Sequence, residues 1–153
     1  VSGLSTSLIP SVLDTLVAQF TTALAGVMAV TDGPPTVDIP ASGLFVGAAL
    51  GDEAIQFQQA NPVAGARRRD EQFDIPNLMY LRTGDTDTLS ATRASVFAAL
   101  ALLETSMRAD MSIGIAGNSV RAQLGTVGWF SQVQSPDGIV CRISFTIEVK
   151  TRI

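Results

Sequence analysis

Four short stretches hold residue types that could do chemistry. "GIAGNS" (114–119) has the glycines of a phosphate-cradling loop. It lacks the lysine of a nucleotide-binding loop, and it does not open a helix after a strand. "GDTDT" (84–88) places acids close together as calcium loops do. The twelve-residue ligand spacing and the closing glutamate are missing, and a helix cap accounts for Asp87 or Thr88. "RRRDEQ" (67–72) could touch a phosphate backbone, but Asp70, Glu71 and Asp74 stand beside it and the chain is acidic overall. Cys141 is the only cysteine and there is no histidine. That excludes an internal disulfide, Ser–His and Cys–His catalysis, and any zinc site built on imidazole. No catalysis, cofactor or metal is therefore expected. Trp129 and Tyr80 read as packing residues, and Cys141 as a small buried hydrophobe.

Charge is distributed unevenly. Residues 1–66 carry no Lys or Arg and five acids: Asp14, Asp32, Asp38, Asp52 and Glu53. All ten bases lie in 67–153, beginning at Arg67, Arg68 and Arg69, and nine of them are Arg. The flat guanidinium fork suits interface carboxylates, although a GC-rich genome also favours Arg codons. Apolar residues make up 46% of the chain and charged residues 16%. That composition leaves apolar surface for partners. With 153 residues the chain is one domain with room for a core. No run of eighteen apolar residues occurs, so no membrane-spanning helix is expected. The first residues lack the basic start of a signal peptide.

The elements that must position these residues follow from periodicity. "LIPSVLDTLVAQFTTAL" (8–24) is helical, with Ile9, Val12 or Leu13, Leu16, Phe20 and Leu24 on one stripe. Pro10 fits only a first turn, Ser11 with Asp14 offers an alternative capping-box start, and Gly26 is a stop. "TDGPPTVDIPASG" (31–43) reads as loop or irregular extended chain, and "GLFVGAAL" (43–50) as a short buried strand. "EAIQFQQA" (53–60) reads as a strand edge and opens a polar arm at about 53–71 that holds the Arg triplet. Residues 72–84 return to strand, with Pro76 marking a bulge or an edge position.

A second helix follows, with Leu89, Val96, Phe97, Leu100, Leu103 and Met107 as its stripe and Thr92, Arg93, Ser95 and Arg108 mostly opposite. The glycines of 111–119 end it. The last unit is a hairpin of 119–134 and 139–153 around the type I turn "SPDG" (135–138). In "CRISFTIEVKTRI" (141–153) every second residue is apolar. Such a strand has one buried face, and Arg142, Glu148, Lys150 and Arg152 lie on the other. Two amphipathic helices and an antiparallel sheet with one apolar face make an α+β two-layer domain. The core is expected to unite Leu16, Phe20, Val96, Phe97, Leu100, Leu103, Phe145 and Ile147.

This order of elements resembles the tail terminator proteins of long-tailed bacteriophages. The resemblance is carried by the helix "LIPSVLDTLVAQFTTAL", by "PPTVDIPASGLFVG", by the strand "DIPNLMYLRTGD", by the helix "RASVFAALALLETSMRAD" and by the hairpin "GWFSQVQSPDGIVCRISFTIEVKTRI". It implies a hexameric ring at the tail–neck junction of a virion, assembled in the host cytoplasm. The ring stops tail-tube polymerisation and docks to the head connector or stopper, and DNA passes through it without specific recognition. No cofactor, catalysis or membrane is implied. Stoppers and tail-completion proteins are similar in size and composition. A cellular ferredoxin-like dimer with a small-molecule pocket is the alternative from another class.

The charge switch suggests how such a ring would close. The arm with Arg67, Arg68 and Arg69 is expected to reach the acids Asp32, Asp38, Asp52 and Glu53 of the next subunit. The alternative is that it folds against its own Asp70 and Glu71. Arg142, Glu148, Lys150 and Arg152 are expected to face a neighbouring subunit or to line the ring's inner wall.

Overall fold

In the computed structural model, residues 7–33, 42–47, 55, 57–60, 70–84, 88–112, 119–136 and 138–152 are described. They form helix α1 (Ile9–Ala23), strands β1 (Ala29–Asp32), β2 (Ser42–Val46), β3 (Phe57–Ala60) and β4 (Asp70–Thr83), helix α2 (Leu89–Ala109), and the hairpin β5 (Ser119–Ser135) and β6 (Gly138–Arg152). The sheet order is β1-β2-β4-β6-β5, with β3 pairing the start of β4. β1 and β2 are parallel and the other pairs antiparallel. The fold is α+β, as periodicity predicts.

β6 sits between β4 and β5, and its burial alternates along its length. Ile139, Cys141, Ile143, Phe145, Ile147 and Val149 point to the helices and are buried with Val12, Leu16, Phe20, Val96 and Leu103. Pro76 occupies the gap its chemistry requires. β3 pairs β4 over residues 70–73 and β2 pairs it over 77–81, so neither reaches Pro76, which is paired only to Thr146 of β6. A residue with no N–H fits where one side of the ladder is empty.

α1 buries Val12, Leu16 and Phe20, with Leu24 at its end, and Leu13 is half-buried. Pro10 lies in its first turn. Gly26, with φ 78°, follows the helix in the left-handed region that favours glycine. α2 is capped by Thr88, whose hydroxyl accepts from the Ala91 N–H at 3.1 Å.

Several expectations need correction. The buried face of α2 is Thr92, Val96, Ala99, Leu103 and Met107. Phe97 is 43% exposed and Leu100 only partly buried. Thr92 faces inward because its hydroxyl has a partner there, the Thr83 hydroxyl of β4 at 2.8 Å. A hydrogen-bonded hydroxyl can be buried without the penalty of an unpaired one. With Thr92 inward, the stripe rotates and Phe97 turns to the flank, where its ring lies 5.0 Å from Phe130. α2 stops at Asp110, ahead of the glycines, and the Asp110 carboxylate accepts from the N–H and hydroxyl of Ser112. Residues 29–32, read partly as loop, form a strand against β2. Within the expected arm, 57–60 and 70–71 are strand, and 61–69 lie outside the described residues.

A second apolar cluster occupies the sheet face away from the helices. Phe45, Leu78 and Tyr80 are buried together there, with Val140 against them. Adjacent strands pair Phe45 with Leu78 and Tyr80 with Arg142, so these side chains share that face with the charged residues of β6.

Candidate assembly interface

The charged face of β6 is less open than an alternating sequence suggests. Arg142, Ser144, Thr146 and Glu148 are half-buried, because β4 and β5 flank them on both sides. Arg152 reaches across to Asp70, its register partner on β4. Its Nε donates at 2.7 Å and its Nη2 at 3.3 Å, a two-pronged pair. The guanidinium holds the Asp70 carboxyl below the usual carboxylate range. Glu148 accepts from the Gln123 amide at 3.3 Å. Lys150 is exposed, opposite Arg121 on β5 and Gln72 on β4. The Arg142 Nε is buried with no hydrogen-bond partner among the described residues. Of the four charges expected at an interface, two therefore have partners within the chain.

The remaining predicted residues separate in the same way. Asp32 is exposed at the end of β1. Asp38, Asp52, Glu53, Arg67, Arg68 and Arg69 lie outside the described residues. Asp70 and Glu71 both have partners elsewhere. Asp70 pairs with Arg152, and Glu71 is buried beneath the start of α1. There its carboxylate accepts from the Leu8 N–H at 2.9 Å and from the Gln59 amide at 2.7 Å. The sequence offers Glu71 only as a partner for the Arg triplet, and the structure gives it to Leu8 and Gln59 instead. Its odd-numbered position beside Phe73 and Ile75, on the helix-facing side of β4, is the signal that could have found it.

A cleft of about 610 Å³ opens at this end of the sheet, lined by Asp70, Glu71, Arg121, Lys150 and Arg152 among others. Within it Asp70 and Arg152 pair with each other, and Glu71 is held by Leu8 and Gln59. Among the described residues no three His, Cys, Asp or Glu side chains gather as metal ligands would, and no helix is long and apolar enough to cross a membrane. Cys141 is buried on the helix side of β6, and desolvation pushes its thiol upward while the Arg93 charge acts the other way.

The hairpin carries features that charge patterning does not reveal. Between Leu124 and Gly128 the register shifts, so that residues 125–127 of β5 stand opposite Thr146 alone. Gly125 lies against the Thr146 side chain, where a Cβ would collide with its hydroxyl. Beyond this bulge β5 is exposed on both faces, and Trp129, Phe130 and Val133 are open to solvent.

No protein-family model matches the chain, and no curated protein matches it. A solved structure does. A chain from the virion of a native gene transfer agent particle superimposes with a TM-score of 0.63 at 11% identity. The match covers 97% of this chain and 100% of that one. Two chains so different in sequence thus share one fold from end to end.

Proposed function

We propose that the chain is a structural protein of a phage-like virion, and that it forms a hexameric ring that caps the tail tube and docks to the head connector. The observation that carries the virion role is the end-to-end match of fold and length with a chain of a gene transfer agent virion. The finer assignment to the tail terminus is supported by the order of elements: two helices on one face of a sheet that ends in a long hairpin. Large apolar side chains left open at the sheet margins support assembly with other chains.

In this reading the protein works through surfaces. A ring in which one patch meets a different patch on its neighbour closes only if the rotation per subunit completes a circle. Such a ring ends a polymer by offering the tube a complementary face on one side and a different face on the other. The sequence contrast between an acid-only first segment and a base-bearing remainder supports a contact between Arg67, Arg68, Arg69 and acids such as Asp32 of the neighbour. That contact is charge-assisted and partly screened by salt.

Mass in solution and negative-stain imaging test the ring, and tube length tests the role. Tail-tube protein polymerised with the chain present is expected to stop at a defined length, and without it to over-extend. A chain that stays monomeric, or tubes whose length ignores it, would remove the tail-capping role. Replacing Arg67, Arg68 and Arg69 with Ser tests the arm. Rings forming at the parent's concentration and salt would dismiss it as a clasp.

A further inference from the structure

Four residues on the sheet face away from the helices stand in one row. Gln58 of β3 is the register partner of Gln72 of β4, Gln72 is that of Lys150 of β6, and Lys150 is that of Arg121 of β5. At the ordinary spacing of strands the row is roughly 14 Å wide. All four residues are exposed, and all four line the cleft of about 610 Å³ at the Asp70–Arg152 end of the sheet. None of their side chains has a hydrogen bond or an ion pair among the described residues.

Lys150 and Arg121 are two cations directly opposite each other, and like charges so placed repel. The acids nearby are engaged or stand apart. In the row on one side, Asp70 is paired with Arg152. In the row on the other, Glu148 accepts from Gln123 and lies beside its register partner Asp74, and neither acid pairs with Lys150 or Arg121. Glu71 is held by Leu8 and Gln59. Thr151 lines the same cleft from the helix-facing side of β6. It is 5% exposed, and its hydroxyl has no hydrogen-bond partner among the described residues. A buried hydroxyl left so costs free energy that a bound partner returns. The paired carboxylates of the cleft are thus committed. What stays unsatisfied is two cations, two amides and one hydroxyl, every one of them a donor.

We infer that this row binds a carboxylate, and that the carboxylate is an acidic side chain on a peptide segment of another chain. Lys150 and Arg121 meet the charge, with the short, strong hydrogen bonds of ionised partners. Gln58 and Gln72 offer both a donor and an acceptor, which match the peptide groups on either side of that side chain. A nucleic-acid backbone fits less well, because its charge repeats beyond the row and onto Asp74 and Glu148. The chemistry of the site does not depend on the ring. That the segment belongs to another virion protein rests on the proposed function.

The test uses the full chain labelled with nitrogen-15 at low salt, titrated with a capped Ala-Ala-Glu-Ala-Ala peptide. The side-chain amide signals of Gln58 and Gln72 and the Arg121 Nε signal are expected to shift together and to saturate. The same peptide with Gln in place of Glu is expected to leave them in place. The double variant Arg121→Gln, Lys150→Gln is expected to weaken the response about tenfold or more. Its unfolding midpoint without peptide is expected to equal or exceed the parent's, since a repulsion is removed. A lower midpoint would make the two cations part of the fold's own support and overturn the site. Equal shifts from the Gln peptide would overturn the carboxylate. Equal shifts from acetate alone would overturn the peptide. Tighter binding of a DNA duplex than of the Glu peptide would give the row to phosphate instead. A chain that stays monomeric yet shows the expected shifts would keep this site and remove the tail-capping role.

Discussion

The Glu71 carboxylate accepts the Leu8 N–H at 2.9 Å across 63 residues of sequence, so a strand caps the helix that the chain made first. The α1 cap residue, Leu8, has no side chain that can accept, the Ser7 hydroxyl accepts from the Ile9 N–H at 3.1 Å, and there is no acid in the first turn. Glu71 supplies both the missing acceptor and the negative charge that the positive end of a helix favours. Its second oxygen is held by Gln59, so the same carboxylate ties α1, β3 and β4 together.

Glu71→Ala is expected to destabilise the fold by about 1–3 kcal/mol, since it leaves buried donors without an acceptor. Glu71→Gln, which keeps an acceptor, is expected to lose less. Urea denaturation of both variants checks the order. Equal midpoints for Glu71→Ala and the parent would mean that water caps α1 as well as the carboxylate does.

Leu103→Ala is expected to lose about 2–5 kcal/mol, because Leu103 is fully buried among sheet and helix side chains. Phe97→Ala, despite the larger side chain removed, is expected to lose well under half as much, with Leu100→Ala between them. Phe97 is half-exposed and gives up chiefly its contact with Phe130. The three midpoints in one denaturant series decide which face of α2 is the core face.

The Asp70–Arg152 pair makes stability depend on pH in one direction. The Asp70 carboxyl titrates lower in the folded chain than in the unfolded one. Its contribution is present above the usual carboxylate range and is lost as pH falls through the folded value. Asp70→Asn is expected to flatten that part of the stability profile, and to be less stable than the parent chiefly above it, where the parent's carboxylate is ionised. Salt is expected to shrink the difference, since both side chains are about half exposed.

Cys141 is expected to resist thiol reagents in the folded protein and to react at the rate of unfolding. It is buried between strands, and desolvation keeps its thiol protonated beyond the ordinary thiol range. The raised value means that its share of stability is full at neutral pH and falls as alkaline pH ionises the unfolded thiol first. A thiol-reagent time course at several urea concentrations separates the two routes of reaction.

Gly138→Ala is expected to destabilise the hairpin by about 1–3 kcal/mol or more. Gly138 has φ 131°, a region that L side chains rarely adopt, and a Cβ there would collide with the Thr83 carbonyl oxygen. Thermal unfolding of the variant checks this.

What the sequence determined by itself is what depends on local period and turn chemistry. The alternation of residues 139–151 specifies which side of β6 is buried, since successive side chains of a strand must point to opposite faces. Pro136 and Gly138 place the turn, Thr88 starts α2, and Pro10 lies in the first turn of α1. Each follows from backbone geometry within a few residues. The tertiary structure decided what depends on the neighbour across a gap. Whether Thr92 or Phe97 faces the core turns on a hydroxyl of β4 that no helical pattern contains. Whether Glu71 is solvated or buried turns on the Leu8 N–H, brought to it only when the sheet and α1 pack. The bulge at 125–127 leaves the period of each strand intact on either side, so it is invisible until β5 is laid against Thr146. That bulge separates the part of β5 with one buried face from the part exposed on both. A buried partner repays the desolvation of a polar group, and partners distant in sequence meet only in the folded chain.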